Sequence, residues 1–412
     1  MIKKNISFAL LASLIRLILG LIIFVLISRA LTLSDFGSYI YIIVVTGYFS
    51  ILTDFGFNLS VLNDVPKNKK RVKNFFFEIM FAKSILVIIS LFLLIMFIAL
   101  MNEEKNTYVF ILFMCVAILQ SYSSLIAHLF KSFNKFDIDF YYVVITSVPC
   151  LIIIYLYQYE LNLLELGLIF VISRVIGFAY LVVYFVSYFS NMHVIDNVQL
   201  SLKPLKKNFK YAIHMVIGGM LLSIDIPIMK EVLTLEDVAI YSVGMKIFVA
   251  LVLIGDVTNT SFMPKLAGDI KEDYPLFITN VKKLIRLMFL LGLFFGAMLL
   301  LFGESGILIV FGPDFEPLVP LVPLFSLALF IRFLSMAYGN LLTLAEKQLY
   351  RARIIVVVFV LHVIFNIIFQ DQMGVQGAII AFCLSFFILT ISNMYVVYKH
   401  YGSLFLFHGK NK

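Results

Sequence analysis

Long apolar runs separated by short polar breaks fill the chain from end to end. The runs are continuous instead of alternating in twos, and most exceed the ~20 residues a helix needs to cross a bilayer. The pattern predicts twelve membrane-spanning helices, at about 6–31, 36–62, 74–101, 107–130, 140–159, 165–189, 210–230, 238–264, 282–303, 317–345, 354–370 and 375–398. Continuous runs exclude a transmembrane β-barrel, whose strands alternate apolar and polar positions. The first run, from about Ile6, is too long for a signal-peptide core and has no small-residue cleavage site, so it is expected as a retained first helix.

One polar break occurs twice. Leu31-Thr32-Leu33-Ser34-Asp35-Phe36-Gly37-Ser38-Tyr39 is matched by Leu233-Thr234-Leu235-Glu236-Asp237-Val238-Ala239-Ile240-Tyr241, with Leu, Thr, Leu, Asp and Tyr identical at one common offset. The same offset carries Asp54 onto Asp256. An offset near half of 412 residues predicts two fused halves. Six spans per half is an even number, so both halves enter the membrane in the same direction and the repeat is a parallel one. The expected division is a first six-helix bundle over 1–189, a cytoplasmic linker over 190–209, a second bundle over 210–400 and a tail over 401–412. Asp35 is expected to correspond to Asp237, and Asp54 to Asp256.

Composition fixes the solvent. The chain is 62% hydrophobic and 14% charged, with a mean hydropathy of +1.04, which no soluble core of this length requires. The expectation is an all-α polytopic membrane protein. Cys115, Cys150 and Cys383 lie inside apolar runs and read as inert packing residues. Placing the N-terminus inside puts twenty-three of the 32 Lys and Arg on inner segments and three (Arg29, Lys105, Lys230) on outer ends. Both termini are therefore expected in the cytoplasm, and the net charge of +8 reflects topology and an anionic inner leaflet instead of nucleic-acid binding. The outer loops are short and acidic and leave no room for a folded domain.

Six basic residues remain inside spans: Arg16, Lys83, Arg174, Lys246, Arg286 and Arg332. A cation at the bilayer centre costs at least ~2.5–3.5 kcal/mol. Arg16, Lys83, Arg174 and Arg332 lie deep by residue count, so they are expected to face a watery cavity. Lys246 is some way into its span, and Arg286 is near an inner end, where snorkelling serves equally well. The acidic set is Asp54, Glu78, Asp225 and Asp256. Glu78 is positioned to pair with a neighbour such as Lys83. Asp225 precedes Pro227, which frees a backbone carbonyl; a broken helix beside a carboxylate suits a cation or proton site, and pairing with a buried cation suits it equally. Asp54 and Asp256 are candidates for gating, helix termination or ion coupling. His128, His214 and His362 read as hydrogen-bonded packing residues. Six cations against four anions predict a cationic cavity and an anionic substrate, and Arg suits phosphate through its planar fork. The chain lacks a phosphate-cradling G-x-x-x-x-G-K-[ST] loop and any Cys/His cluster at metal-ligand spacing, so no catalytic or metal residues are assigned. The loop Asn63-Asp64-Val65-Pro66-Lys67-Asn68-Lys69-Lys70-Arg71 lacks the G-x-x-x-D-R pattern of major-facilitator transporters.

Several stretches resemble a known family. Ser28-Arg29-Ala30-Leu31 leading into Asp35-Phe36-Gly37-Ser38-Tyr39, Phe311-Gly312-Pro313-Asp314-Phe315 with Pro317 and Pro320, Asn340-Leu341-Leu342 through Ala345-Glu346-Lys347, and Asn366 through Gly374-Val375-Gln376-Gly377-Ala378 resemble the polysaccharide and O-antigen flippases of the multidrug/oligosaccharidyl-lipid/polysaccharide exporter superfamily. The resemblance covers essentially the whole chain through loose motifs in a consistent order. It implies a V-shaped pair of six-helix bundles around a cationic central cavity. It also implies movement of undecaprenyl-diphosphate-linked oligosaccharide from the cytoplasmic to the periplasmic leaflet of a bacterial inner membrane. The lipid-linked sugar and the bilayer are then the partners, other polysaccharide-assembly membrane proteins are candidate partners, and no cofactor is needed beyond a Na+ or H+ gradient. Two other readings stand beside it. A cation-coupled multidrug antiporter of the same superfamily fits the layout but not the basic bias of the buried charges. A membrane polysaccharide polymerase or ligase would be expected to carry a sizeable outer loop with paired catalytic groups, which this chain lacks.

Overall fold

The computed structural model describes residues 2–67, 72–189, 201–345 and 348–401, and every regular element among them is a helix. The first part of the expected linker, the basic loop residues Lys69, Lys70 and Arg71, the pair Glu346-Lys347 and the tail beyond Tyr401 lie outside the described residues. Eleven helical segments among the described residues are long and apolar enough to cross a membrane.

Two compact units are present, Met1–Met220 and Leu221–Lys412. The first holds α1 (Ile2–Ala30), α2 (Leu33–Asp54), α3 (Phe57–Asp64), α4 (Val72–Leu100), α5 (Thr107–Ser132), α6 (Phe136–Tyr157), α7 (Leu163–Phe189) and α8 (Lys203–Met220). The second holds α9 (Asp225–Val232), α10 (Leu235–Glu272), α11 (Tyr274–Val310), α12 (Val322–Leu344), α13 (Gln348–Met373) and α14 (Val375–Tyr401). The packing partners repeat. In the first unit α2 lies on α4 and α5, and α7 on α5 and α6; in the second α10 lies on α11 and α12, and α14 on α12 and α13.

The duplicated polar break is a helix start in both units. Thr32 is the N-cap of α2 and Thr234 the N-cap of α10. The Thr32 hydroxyl accepts the Asp35 N–H at 3.1 Å, and the Thr234 hydroxyl accepts the Asp237 N–H at 3.2 Å. At the second site the Asp237 carboxylate also accepts the Thr234 N–H at 3.1 Å, completing a capping box. The repeated Thr-x-x-Asp thus satisfies backbone donors that would otherwise be orphaned at a membrane helix end. Asp54 and Asp256 both lie on the helix these caps open, but Asp54 is the last residue of α2 whereas α10 runs on to Glu272.

Three local departures from the expected spans have physical causes. The second span breaks after Asp54, because Phe55 and Gly56 adopt left-handed conformations (φ 46° and 76°), and α3 continues it. The seventh span, expected over 210–230, is split into α8 and α9 by a turn at 221–224. Pro227 sits in the first turn of α9, where its missing N–H is tolerated, and its ring would clash with the carbonyl four residues back if the helix continued. Neither piece is among the eleven spanning segments, and α8 packs on α2, α3 and α4 in the first unit. Finally, α10 and α11 contain 38 and 37 residues, on the order of 55 Å at 1.5 Å per residue. Each exceeds the ~30 Å hydrocarbon core.

The motifs behind the family resemblance are packing devices. Pro313–Leu321 forms a 3-10 stretch leading into α12, with Phe315 buried and edge-on to Phe311 at 5.9 Å. Gly374 closes α13 with a left-handed φ of 60°. A Cβ added at Gly377 would meet the Phe369 carbonyl oxygen at 1.9 Å, so only glycine lets α14 start this close to α13. Losing the cap hydroxyl in Thr234→Ala should destabilise the protein by about 1 kcal/mol, with Thr234→Ser close to neutral. Thermal unfolding in detergent checks this; equal stability of the Ala variant and the parent would contradict the capping role.

Candidate functional site

The second unit contains a polar cluster enclosed by membrane helices. Asp225, the first residue of α9, is fully buried. Tyr241 of α10 donates its hydroxyl to Asp225 Oδ2 through a short hydrogen bond. His362 of α13, also fully buried, places Nε2 2.7 Å from Asp225 Oδ1. Its Nδ1 lies 3.0 Å from Ser385 Oγ on α14, and that hydroxyl donates to the Ala381 carbonyl at 2.7 Å. Since the Ser385 proton is directed at Ala381, Ser385 Oγ is left to accept from His362 Nδ1–H. That leaves Nε2 as the ring nitrogen beside Asp225 Oδ1, although no well-aligned N–H···O bond joins the two atoms.

Two amides complete the cluster. Gln370 donates to Asn366 Oδ1 at 2.6 Å and to the Asp225 carbonyl at 3.2 Å. Asn366 donates to the His362 carbonyl at 2.9 Å. His362, Asn366 and Gln370 are spaced four residues apart, which puts them on one face of α13. Gln370 Oε1 is buried without a hydrogen-bond partner, and Asp225 Oδ1 has no in-line donor. The cluster therefore holds two buried oxygens without a hydrogen-bond donor, Asp225 Oδ1 and Gln370 Oε1. Buried acceptors without donors are costly among apolar helices.

In the first unit Lys83 is fully enclosed. Its ammonium donates to the Thr53 carbonyl at 3.1 Å and to Ser121 Oγ at 2.6 Å. It lies 3.9 Å from Asp54 and 5.5 Å from the Tyr122 ring centre. Thr53 supplies one of the orphan carbonyls at the end of α2, so Lys83 is a positive charge at a helix C-terminus, where the dipole favours it. It stabilises the α2–α3 break and does not present its charge to water. Glu78, which the spacing offered as its partner, is not the carboxylate beside it.

The remaining charges are dispersed. Arg16 reaches Asp139 Oδ1 at 3.1 Å, and Lys131 holds Asp139 Oδ2 at 2.8 Å. Asp139 is in the first turn of α6 and Lys131 in the last turn of α5, so the Arg16 guanidinium lies at the level of the α5–α6 turn and not at mid-depth. Arg174 and Arg332 are half-buried, and the Nε of each is buried without a hydrogen-bond partner. Arg332 also stacks over Phe386 at 5.0 Å. Lys246 is half-buried, whereas Arg286 and Asp256 are exposed on the surface of their helices. Of the residues singled out from sequence, the structure joins Lys83 with Asp54. Asp225 is joined to His362, which the sequence had suggested only as packing. Tyr241, Asn366, Gln370, Ser385, Lys131 and Asp139 were not foreseen. The four-residue polar spacing on α13 was a usable signal. Asp139 escaped notice because the fifth span was expected to begin one residue after it.

Comparisons with known proteins agree with this architecture. Residues 2–226 match the family model for polysaccharide biosynthesis proteins, more than half the chain, and the chain belongs to that family. No curated protein matches it by sequence. Among solved structures it is similar to the lipid II flippase MurJ in an inward closed conformation, with 13% identity, a TM-score of 0.72 and coverage of 97% of this chain and 90% of that one. It is also similar to an inward-facing multidrug resistance MATE family transporter of the MOP superfamily, at 11% identity and a TM-score of 0.70, covering 97% and 100% of the two chains. A third similar structure is a MOP superfamily transporter from Pyrococcus furiosus, at 12% identity and a TM-score of 0.59, covering 97% and 95%. These likenesses show the fold: an all-helical, multi-pass membrane protein with the helical arrangement of those structures.

Replacing Lys83 by Ala leaves the Thr53 carbonyl and Ser121 hydroxyl without their buried donor and opens a cavity. The expected loss of stability is on the order of 3 kcal/mol. Thermal unfolding of the purified variant checks this, and an unchanged midpoint would contradict the capping role.

Proposed function

We propose that this protein is a flippase for undecaprenyl-diphosphate-linked oligosaccharide, an O-antigen or capsule repeat unit. It moves this substrate from the cytoplasmic to the periplasmic leaflet of a bacterial inner membrane, with both its own termini in the cytoplasm. The observation that carries this reading is the pair Arg174 and Arg332. Each holds a buried Nε with no protein partner, in a family of polysaccharide biosynthesis proteins. A guanidinium nitrogen left without an acceptor among apolar helices is costly, and a diphosphate offers both negative charge and the acceptors that suit the planar fork. Arg16 in the first unit and Lys246 and Arg286 in the second provide further positive charge, while the polyprenyl tail stays in lipid. The substrate crosses unchanged, so no catalytic residue is required. A cation-coupled multidrug antiporter would share the fold, but guanidiniums repel cationic drugs. The Asp225–His362 cluster is the coupling site: its buried carboxylate takes up H+ or Na+ on one side of the membrane and releases it on the other as the substrate site changes leaflet.

A strain lacking this protein should lose the corresponding surface polysaccharide and regain it on complementation. Arg174→Ala or Arg332→Ala, at normal protein level, should cut the restored polysaccharide at least tenfold, and Lys at either position should rescue it partly because charge survives without the fork. Full complementation by the double Ala variant would contradict the reading.

The coupling role has its own readout. In membrane vesicles, Asp225→Asn and His362→Gln should uncouple lipid-linked sugar transport from imposed proton and sodium gradients. Gradient dependence identical to that of the parent would remove Asp225 from the mechanism.

A further inference from the structure

The cluster of Asp139, Arg16 and Lys131 in the first unit is not explained by the coupling site or by Arg174 and Arg332. One carboxylate is held by two cations on its two separate oxygens, Arg16 Nη2 at 3.1 Å and Lys131 Nζ at 2.8 Å. The Asp139 side chain is nearly buried, at 8% exposure, whereas that of Arg16 is 54% exposed. The first turn of α6 adds more positive potential, since its N-cap, Lys135, makes no side-chain capping bond and the helix dipole points its positive end here. Lys135 itself lies 3.9 Å over the Tyr188 ring and adds a fourth source of positive charge nearby. Counting Asp137, the other carboxylate of that turn, Arg16, Lys131 and Lys135 still outnumber the two acids, and Asp139 is the oxyanion that bridges two of the cations.

We propose that Asp139 stands in for a substrate phosphate. In the unloaded protein its two oxygens satisfy Arg16 and Lys131, and an arriving prenyl diphosphate displaces the carboxylate from the exposed guanidinium and takes its place. The exchange conserves charge pairing at every stage, so the cations are never left bare and the phosphate need only outcompete a protein carboxylate. A diphosphate succeeds because it offers more oxygens and more charge than one carboxylate. This inference rests on the flippase reading, because it names the site at which that substrate's phosphate is first engaged. It makes Asp139 a positioning residue that sets affinity by competition.

The test is direct binding to purified protein in nanodiscs, with farnesyl diphosphate, inorganic pyrophosphate and farnesol as probes. Asp139→Asn keeps the shape and one of the two acceptors, and removes the competing charge. It should bind farnesyl diphosphate roughly five- to tenfold more tightly than the parent, while Arg16→Gln binds it more weakly. A purely structural triad predicts the opposite sign for Asp139→Asn, since loosening the site weakens binding. Equal or weaker binding by Asp139→Asn, or tighter binding by Arg16→Gln, overturns the proposal. If Asp139→Asn fails to fold, Lys131→Gln replaces it: with one holder gone, weaker binding of diphosphate supports the proposal and unchanged binding overturns it. Pyrophosphate binding in parallel with farnesyl diphosphate assigns the site to free phosphate; farnesyl diphosphate binding alone assigns it to the lipid headgroup. Farnesol binding as tight as that of farnesyl diphosphate overturns the phosphate assignment. Failure of the flippase reading is distinguishable, because it shows as unaltered surface polysaccharide in the deletion strain whatever the nanodisc result.

Discussion

A charge or an unpaired backbone group inside a bilayer has to find a partner within the protein, and this constraint organises the chain. In water either would be solvated at little cost; in hydrocarbon each costs several kcal/mol. The two Thr-x-x-Asp caps satisfy helix N-termini at the same point of both units. Lys83 satisfies the end of α2 where the second span breaks. Asp225, exposed to the same requirement by the Pro227 break, is enclosed by Tyr241 and His362 from two other helices. Arg174 and Arg332 depart from the rule, since the Nε of each is buried without a protein partner, and function is inferred at that departure.

Much of the fold was legible because a membrane makes hydropathy decisive. The helical class, the near-twelve spans and the duplicated halves follow from continuous apolar runs and one repeated nine-residue stretch. The meaning of that stretch became clear only with the backbone, where Thr32 and Thr234 are caps. The breaks in the second and seventh spans were less legible. Pro227 signalled the latter, but the left-handed turn at Phe55-Gly56 leaves hardly any mark in hydropathy.

Site residues were less legible than spans, because depth counted in residues ignores helix length beyond the bilayer. Arg16 appeared central by count, yet its partner lies in the first turn of α6. Lys83 appeared free to meet a ligand, yet its ammonium is turned into a helix end. His362 carried no signal alone; its role emerges from Asn366 and Gln370 on the same face and from Asp225, distant in sequence. Pairings of this kind depend on tertiary contact, which periodicity does not encode.

The proposed function gives the two units different parts of one task, resting on the buried Asp225–His362 cluster of the second and on one arginine in each unit whose Nε is buried without a hydrogen-bond partner. The most direct measurement is translocation by purified protein reconstituted in proteoliposomes, using an undecaprenyl-diphosphate-linked oligosaccharide and following its appearance in the opposite leaflet with a membrane-impermeant sugar-binding probe. The account predicts protein-dependent translocation that responds to an imposed proton or sodium gradient without ATP. No translocation above that of protein-free liposomes, under gradients of either ion and either direction, would contradict it.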